Sequence, residues 1–168
     1  AQEEYTANKI YEALGVDIPE TYLYQCDSGD FFLLHEYIES SENANQAMDE
    51  EMAKRVTTHF VADAILANWD VYKNDNILIG SEDGKLYRID NGGALRFRAQ
   101  GAPKRGFGAD VTELDTLKDN NPYITSFLTT EDINNQIADV ISKKEKALAV
   151  IKDDKLRKIM EDRFNYLE

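Results

Sequence analysis

Asn68-Trp69-Asp70-Val71-Tyr72-Lys73-Asn74-Asp75-Asn76, then Ile77-Leu78-Ile79, Ser81-Glu82-Asp83-Gly84, Lys85-Leu86-Tyr87-Arg88-Ile89 and Asp90-Asn91-Gly92-Gly93 form the stretch that decides the reading of this chain. It is a polar loop, a short apolar run, a turn, a second run with strand alternation, and an acidic loop closing on two glycines. Two such runs about a Gly-containing turn predict a β-hairpin. A hairpin returns to its starting end, so Asp70, Asp75 and Asn76 are expected beside Asp90. Carboxylates and a carboxamide converging there make an oxygen-rich site suited to Mg²⁺ and phosphate. Asp and Asn also populate turns for local backbone reasons. The second acidic cluster at the same hairpin end is what favours a site.

Working outward, the segment from Gln46 to Asn68 repeats Met48, Met52, Val56, Phe60 and Ala64 at helical spacing and delivers the chain to Trp69. Ala7, Ile10, Tyr11 and Leu14 predict an opening helix, with Gly15 placed to end it. Thr21–Cys26 and Phe31–Ile38 read as a second hairpin joined by Asp27-Ser28-Gly29-Asp30. Residues 39–45 are polar and resemble a linker between lobes. After Asp90, the run 94–108 carries Arg96, Arg98, Lys104 and Arg105 with three glycines and Pro103, as functional loops often do. The remainder is helical: a short helix over 110–117, a longer one capped by Thr129 or Thr130, and a last one over about 154–166.

Composition narrows the classes. A chain of 168 residues with 42% hydrophobic content suits one domain or two small lobes. One cysteine, Cys26, precludes an internal disulfide framework and fits a reducing compartment, and two histidines make a zinc site a poor reading. No apolar run reaches the length of a membrane span, and nothing reads as a secretory leader. The net charge of −13 is uneven: residues 1–52 carry thirteen acidic side chains against Lys9 alone, and residues 53–168 nearly balance. Such a surface repels nucleic acid and anionic membranes.

Asp70…Asn76, two strands and Ile89-Asp90-Asn91-Gly92 resemble the Asp-x-x-x-x-Asn and Asp-Phe-Gly elements of the protein kinase-like superfamily, in particular its phosphatidylinositol 3-/4-kinase and HipA-like branch. Here the first spacing is one residue longer, and Val71-Tyr72-Lys73 stand where an Arg or His often follows the Asp. The helix bearing Glu4 resembles the αC helix, and Phe32 to Ile38 the strand entering the hinge. The basic run from Ala94 resembles an activation segment.

The resemblance implies an α+β, kinase-like fold: an N-lobe remnant over 1–38, a hinge or linker over 39–45, and a mostly helical C-lobe over 46–168 with the metal-binding hairpin. It implies Asp70 as the catalytic carboxylate and Asn76 and Asp90 as metal ligands. Glu4, Glu36, Tyr37 and Ile38 would lie along bound ATP. The expected function is ATP- and Mg²⁺-dependent phosphorylation of a hydroxyl, with Ser or Thr of a protein as acceptor, in the cytoplasm. Because no glycine-rich loop or strand Lys precedes Glu4, the chain reads as a piece of a longer kinase-like protein. Beside this stand a catalytically silent module that binds nucleotide or a partner, an acidic domain that docks a basic protein, and transfer of AMP.

Overall fold

A computed structural model describes residues 1–168, the side chain of Ser41 excepted. The fold is α+β, with helices around two small antiparallel sheets. Helix α1 (Gln2–Ala13) buries Ala7, Ile10 and Tyr11. It ends as expected at Gly15, whose φ of +84° lets the Gly15 and Val16 N–H groups turn back onto Glu12 and Tyr11. Strands β1 (Thr21–Gln25) and β2 (Phe31–His35) pair about a turn containing Gly29, with Tyr22 opposite Leu34 and Tyr24 opposite Phe32. The second strand stops at His35 rather than running to Ile38.

The predicted linker is not unstructured. Within it Ser40–Asn43 forms β3, which pairs with β4 (Ile77–Gly80), and β4 pairs with β5 (Leu86–Arg88). The expected central hairpin is thus present with a third strand on its edge. Asn43 Nδ2 donates to Asp75 Oδ1 at 2.7 Å, and Asn45 donates to the Asn74 carbonyl. Polar side chains of this segment therefore hold the loop that bears Asp70.

The long helix expected over 46–68 is broken. Asp49 caps α2 (Glu50–Val56), a 3-10 turn occupies Thr57–His59, and α3 (Phe60–Ile65) follows. The cause is an inserted side chain: Gln136 Oε1 accepts from Val61 N–H at 3.0 Å, while its Nε2 donates to the Thr57 carbonyl at 2.8 Å. Intercalation of this kind interrupts a helical ladder.

The C-terminal part comprises α4 (Glu113–Asn120), α5 (Pro122–Thr125), α6 (Thr130–Ser142), α7 (Lys144–Ala149) and α8 (Asp154–Leu167). Thr129 and Asp132 close a reciprocal capping box on α6. Helix α3 is the centre of the core: every residue is buried, and it packs on α4, α6 and α8. Arg163 of α8 donates to the carbonyls of Ala64 and Ile65 at the C-terminus of α3 and to Glu113 Oε1 at 2.8 Å. The Ala64 carbonyl also accepts from Ala67 N–H at 3.0 Å, and the buried guanidinium completes the capping of this end. The Asp70 loop leaves from this fixed end. Among the described residues no helix is long and apolar enough to cross a membrane.

Candidate functional site

Asp63 is where the site begins, although it takes no part in it. It sits in α3 among Phe60, Val61, Ala62, Ala64 and Ile65, fully buried. Its Oδ1 accepts from Tyr11 OH (2.8 Å) and Arg88 Nε (2.7 Å), and its Oδ2 from Tyr72 OH (2.7 Å) and Arg88 Nη2 (2.8 Å). A buried carboxylate is tolerable when it is paired and fully hydrogen-bonded, as here. Burial, then the charge of Asp63, pushes both phenols well above their usual range. This single side chain joins α1, α3, the loop after α3 and β5.

Asparagines carry the arrangement outward. Asn68 Nδ2 donates to Tyr11 OH (2.9 Å) and Asn91 Oδ1 (3.1 Å), and Asn91 Nδ2 donates to Asn8 Oδ1 (2.8 Å). The two acidic loops are thereby joined from below, next to Asp70 and Asp90. Two residues in the left-handed region, Ala67 (φ +50°) and Asp90 (φ +53°), mark the bends where each loop turns. A non-glycine residue there carries strain that the surrounding network must hold.

Above the asparagines lie the residues singled out from the sequence. Asn76 Nδ2 donates to the Asp70 carbonyl at 2.7 Å, and Ile89 N–H donates to the Asn76 carbonyl at 2.9 Å. Between Asp70 and Asn76 the chain makes a turn. Lys73 N–H closes on the Asp70 carbonyl, Asn74 takes φ +52°, and Val71 and Tyr72 are buried beneath. With its amide nitrogen committed, Asn76 keeps Oδ1 for a ligand. The Asp70 side chain is 47% exposed, with Lys73 Nζ 3.9 Å away, and Asp90 is exposed. Among the described residues neither carboxylate accepts a hydrogen bond. Asp75, by contrast, is spent on Asn43.

Glu4 comes to the same place from α1. A Cβ on Gly92 would stand 3.3 Å from Glu4 Oε1, a little tighter than ordinary contact. Burial, with Asp90 nearby, pushes the Glu4 carboxyl up; His35, 3.5 Å away, and the Asn91 N–H act against that. The structure does not gather the remaining predicted residues here. Glu36 Oε1 accepts from Glu20 N–H, Tyr37 is 89% exposed, and Ile38 is half-buried.

The basic loop folds back as a small hairpin, with Phe97 bridged to Pro103 and Lys104 N–H on the Arg96 carbonyl. Arg96 forms a two-pronged pair with Glu3, at 2.9 and 2.8 Å. Lys104 donates to the Ala67 carbonyl and lies 4.8 Å from the centre of the Trp69 ring, while Arg98 lies 5.6 Å from it. Burial pushes the Lys104 amine down to about 8. An open cleft of about 700 Å³ runs from Gly92 between Glu4, Arg96 and Leu156.

The chain matches no family model, no curated protein and no solved structure. What the site can do follows from its own atoms. Among the described residues no three His, Cys, Asp or Glu side chains stand together as a ready metal cage. The hairpin end instead offers two carboxylates, Asp70 with Lys73 Nζ 3.9 Å away and Asp90, and the Asn76 amide oxygen. That set fits Mg²⁺, which takes one or two carboxylates and completes its shell with water and substrate phosphates.

Sequence reasoning missed Asp63, Arg88, Asn68, Asn91 and Lys104. Asp63 did carry a signal, a lone carboxylate in the apolar run Phe60–Ile65. Lys104 carried none, because a lysine in a basic loop looks the same whether solvated or buried.

Proposed function

We propose that the end of the β4–β5 hairpin performs ATP- and Mg²⁺-dependent phosphoryl transfer to a hydroxyl, in a kinase-like arrangement, with Ser or Thr of a protein as acceptor. One observation carries this reading. Asn76 ties its amide nitrogen to the Asp70 backbone and leaves Oδ1 without a hydrogen bond among the described residues, at the hairpin end that also bears Asp70, with Lys73 Nζ 3.9 Å from it, and Asp90. Carboxylates recruited for stability look different here, as Asp63 shows.

Asn76 Oδ1 and the Asp90 carboxylate are the groups that would hold the metal. Magnesium supplies charge neutralisation on the phosphate oxygens when bound. Asp70 orients the acceptor hydroxyl and takes its proton as the hydroxyl oxygen bonds to the γ-phosphorus. The bond from that phosphorus to the bridging oxygen breaks, and ADP leaves with the electron pair. Glu4 of α1 lies beside Gly92 with its carboxylate near Asp90.

Titration calorimetry with Mg²⁺·ATP tests the reading on the wild-type chain and on Asp90→Ala and Asn76→Ala. Binding heat in the wild type, lost in both variants with unchanged circular dichroism, supports it. No heat in the wild type, or equal heat in all three, overturns it. Binding without phosphate transfer to protein hydroxyls retains the nucleotide site and removes the catalytic role of Asp70.

A further inference from the structure

The β1–β2 hairpin turns one face to α1 and the other to solvent. Thr21 is buried and Leu23, Phe31 and Leu33 are half-buried on the inner face, where His35 reaches Glu4. The outer face holds Tyr22, Tyr24, Phe32 and Leu34, 46%, 54%, 56% and 54% exposed. The register sets Tyr22 against Leu34 and Tyr24 against Phe32, so the four form one plateau. A two-stranded sheet ordinarily points polar groups outward, and a contiguous aromatic plateau marks a contact surface.

Charge says what kind of partner covers it. One step beyond the register, Glu20 lies opposite Glu36, on the same face by strand alternation. Glu36 Oε1 accepts from Glu20 N–H at 3.0 Å, which brings the two carboxylates to one end of the plateau. Like charges directly across a strand pair oppose each other, and a cation between them removes that cost. Glu20 and Glu36 also hold the Tyr22 phenol above its usual range, the hydrogen bond to Glu20 first. Asp27 and Asp30 stand in the turn at the other end. No Lys or Arg occurs between Lys9 and Lys54, so no cation of this segment answers these charges. The same charge argues against a second copy of the chain as the occupant.

We infer that the outer face of the β1–β2 hairpin is a docking surface for a cationic polypeptide segment in extended form, whose apolar side chains lie on Tyr22, Tyr24, Phe32 and Leu34 and whose Lys or Arg side chains meet Glu20 and Glu36. Extended segments suit it because both strands of the pair are edge strands and their alternation matches the partner's. Cations also gain from aromatic faces. The surface is separate from Asp70 and Asp90, and its occupancy needs no nucleotide.

Fluorescence anisotropy tests this with a labelled peptide whose every second residue reads lysine, leucine, leucine, lysine, with serine between, so that one face carries both kinds, against the same peptide with its leucines replaced by serine (the lysine–serine peptide) and with its lysines replaced by glutamate. The expected result is binding of the first peptide alone, weakened by about tenfold or more in Tyr24→Ser/Phe32→Ser and in Glu20→Gln/Glu36→Gln. Both pairs are exposed, and the glutamines keep the acceptor that Glu20 N–H uses. Glu50→Gln/Glu51→Gln, a charge-matched control on α2, leaves affinity unchanged. Equal loss in the control, or equal binding of the lysine–serine peptide, reduces the effect to net charge and overturns the inference. So does sedimentation showing a dimer that Tyr24→Ser/Phe32→Ser dissolves, since the face is then covered by a second copy.

Discussion

Two groups of carboxylates less than one hairpin apart are treated in opposite ways. Asp63 is fully buried and receives four hydrogen bonds, two from Arg88 and one each from Tyr11 and Tyr72. Asp70 and Asp90 stand in solvent and receive none among the described residues. The first arrangement spends a charge on fixing the relative positions of α1, α3 and β5. The second keeps two charges available at the place so fixed. Asn68 and Asn91 connect them, so stability on one side becomes geometry on the other.

The contrast breaks most decisively at Asp63. Asp63→Ala leaves Arg88 charged, buried and unpaired, and is expected to cost about 3–5 kcal/mol, read from urea denaturation. A loss under about 1 kcal/mol would mean that the network is not what holds these elements together. Asn91→Ala comes next, at about 1–3 kcal/mol, because buried partners on Asn68 and Asn8 lose their bonds. It should also weaken Mg²⁺·ATP binding without touching either ligand, if the asparagines transmit position.

Lys104 gives a test with a definite sign. Burial lowers its folded value to about 8, below that of the unfolded chain, so the unfolded state binds more protons between the two values. The burial penalty is full below about pH 8 and is relieved as pH rises toward the ordinary lysine range near 10.4. Stability of the wild type measured against Lys104→Met should therefore climb across that window, and a flat difference would refute the assignment. The smallest effect is at the exposed end. Asp90→Asn should change stability by no more than about 0.5 kcal/mol. A large loss there would place Asp90 with Asp63 and end the comparison.

Much of the architecture was legible locally. The Gly15 stop of α1, the two hairpin turns and the Thr129 cap of α6 each depend on neighbours within a few residues. So does the approach of Asn76 to Ile89, which follows from closing a hairpin. The break near Thr57 was not legible, because Gln136 causes it from α6. Neither was the strand in 39–45, whose polar residues gain their meaning only beside β4 and the Asp70 loop. Asp75 reads from the sequence as a member of the same acidic cluster, and only the fold brings Asn43 onto it.

By itself the sequence determined the opening helix, the two hairpins, most of the C-terminal helices and which residue types arrive at the end of the central hairpin, since periodicity, turn residues and caps act over short distances. The tertiary structure alone decided which carboxylates are spent and which are free. That depends on partners far away in the chain, Arg88 for Asp63 and Asn43 for Asp75, and on the cost of burying a charge without them.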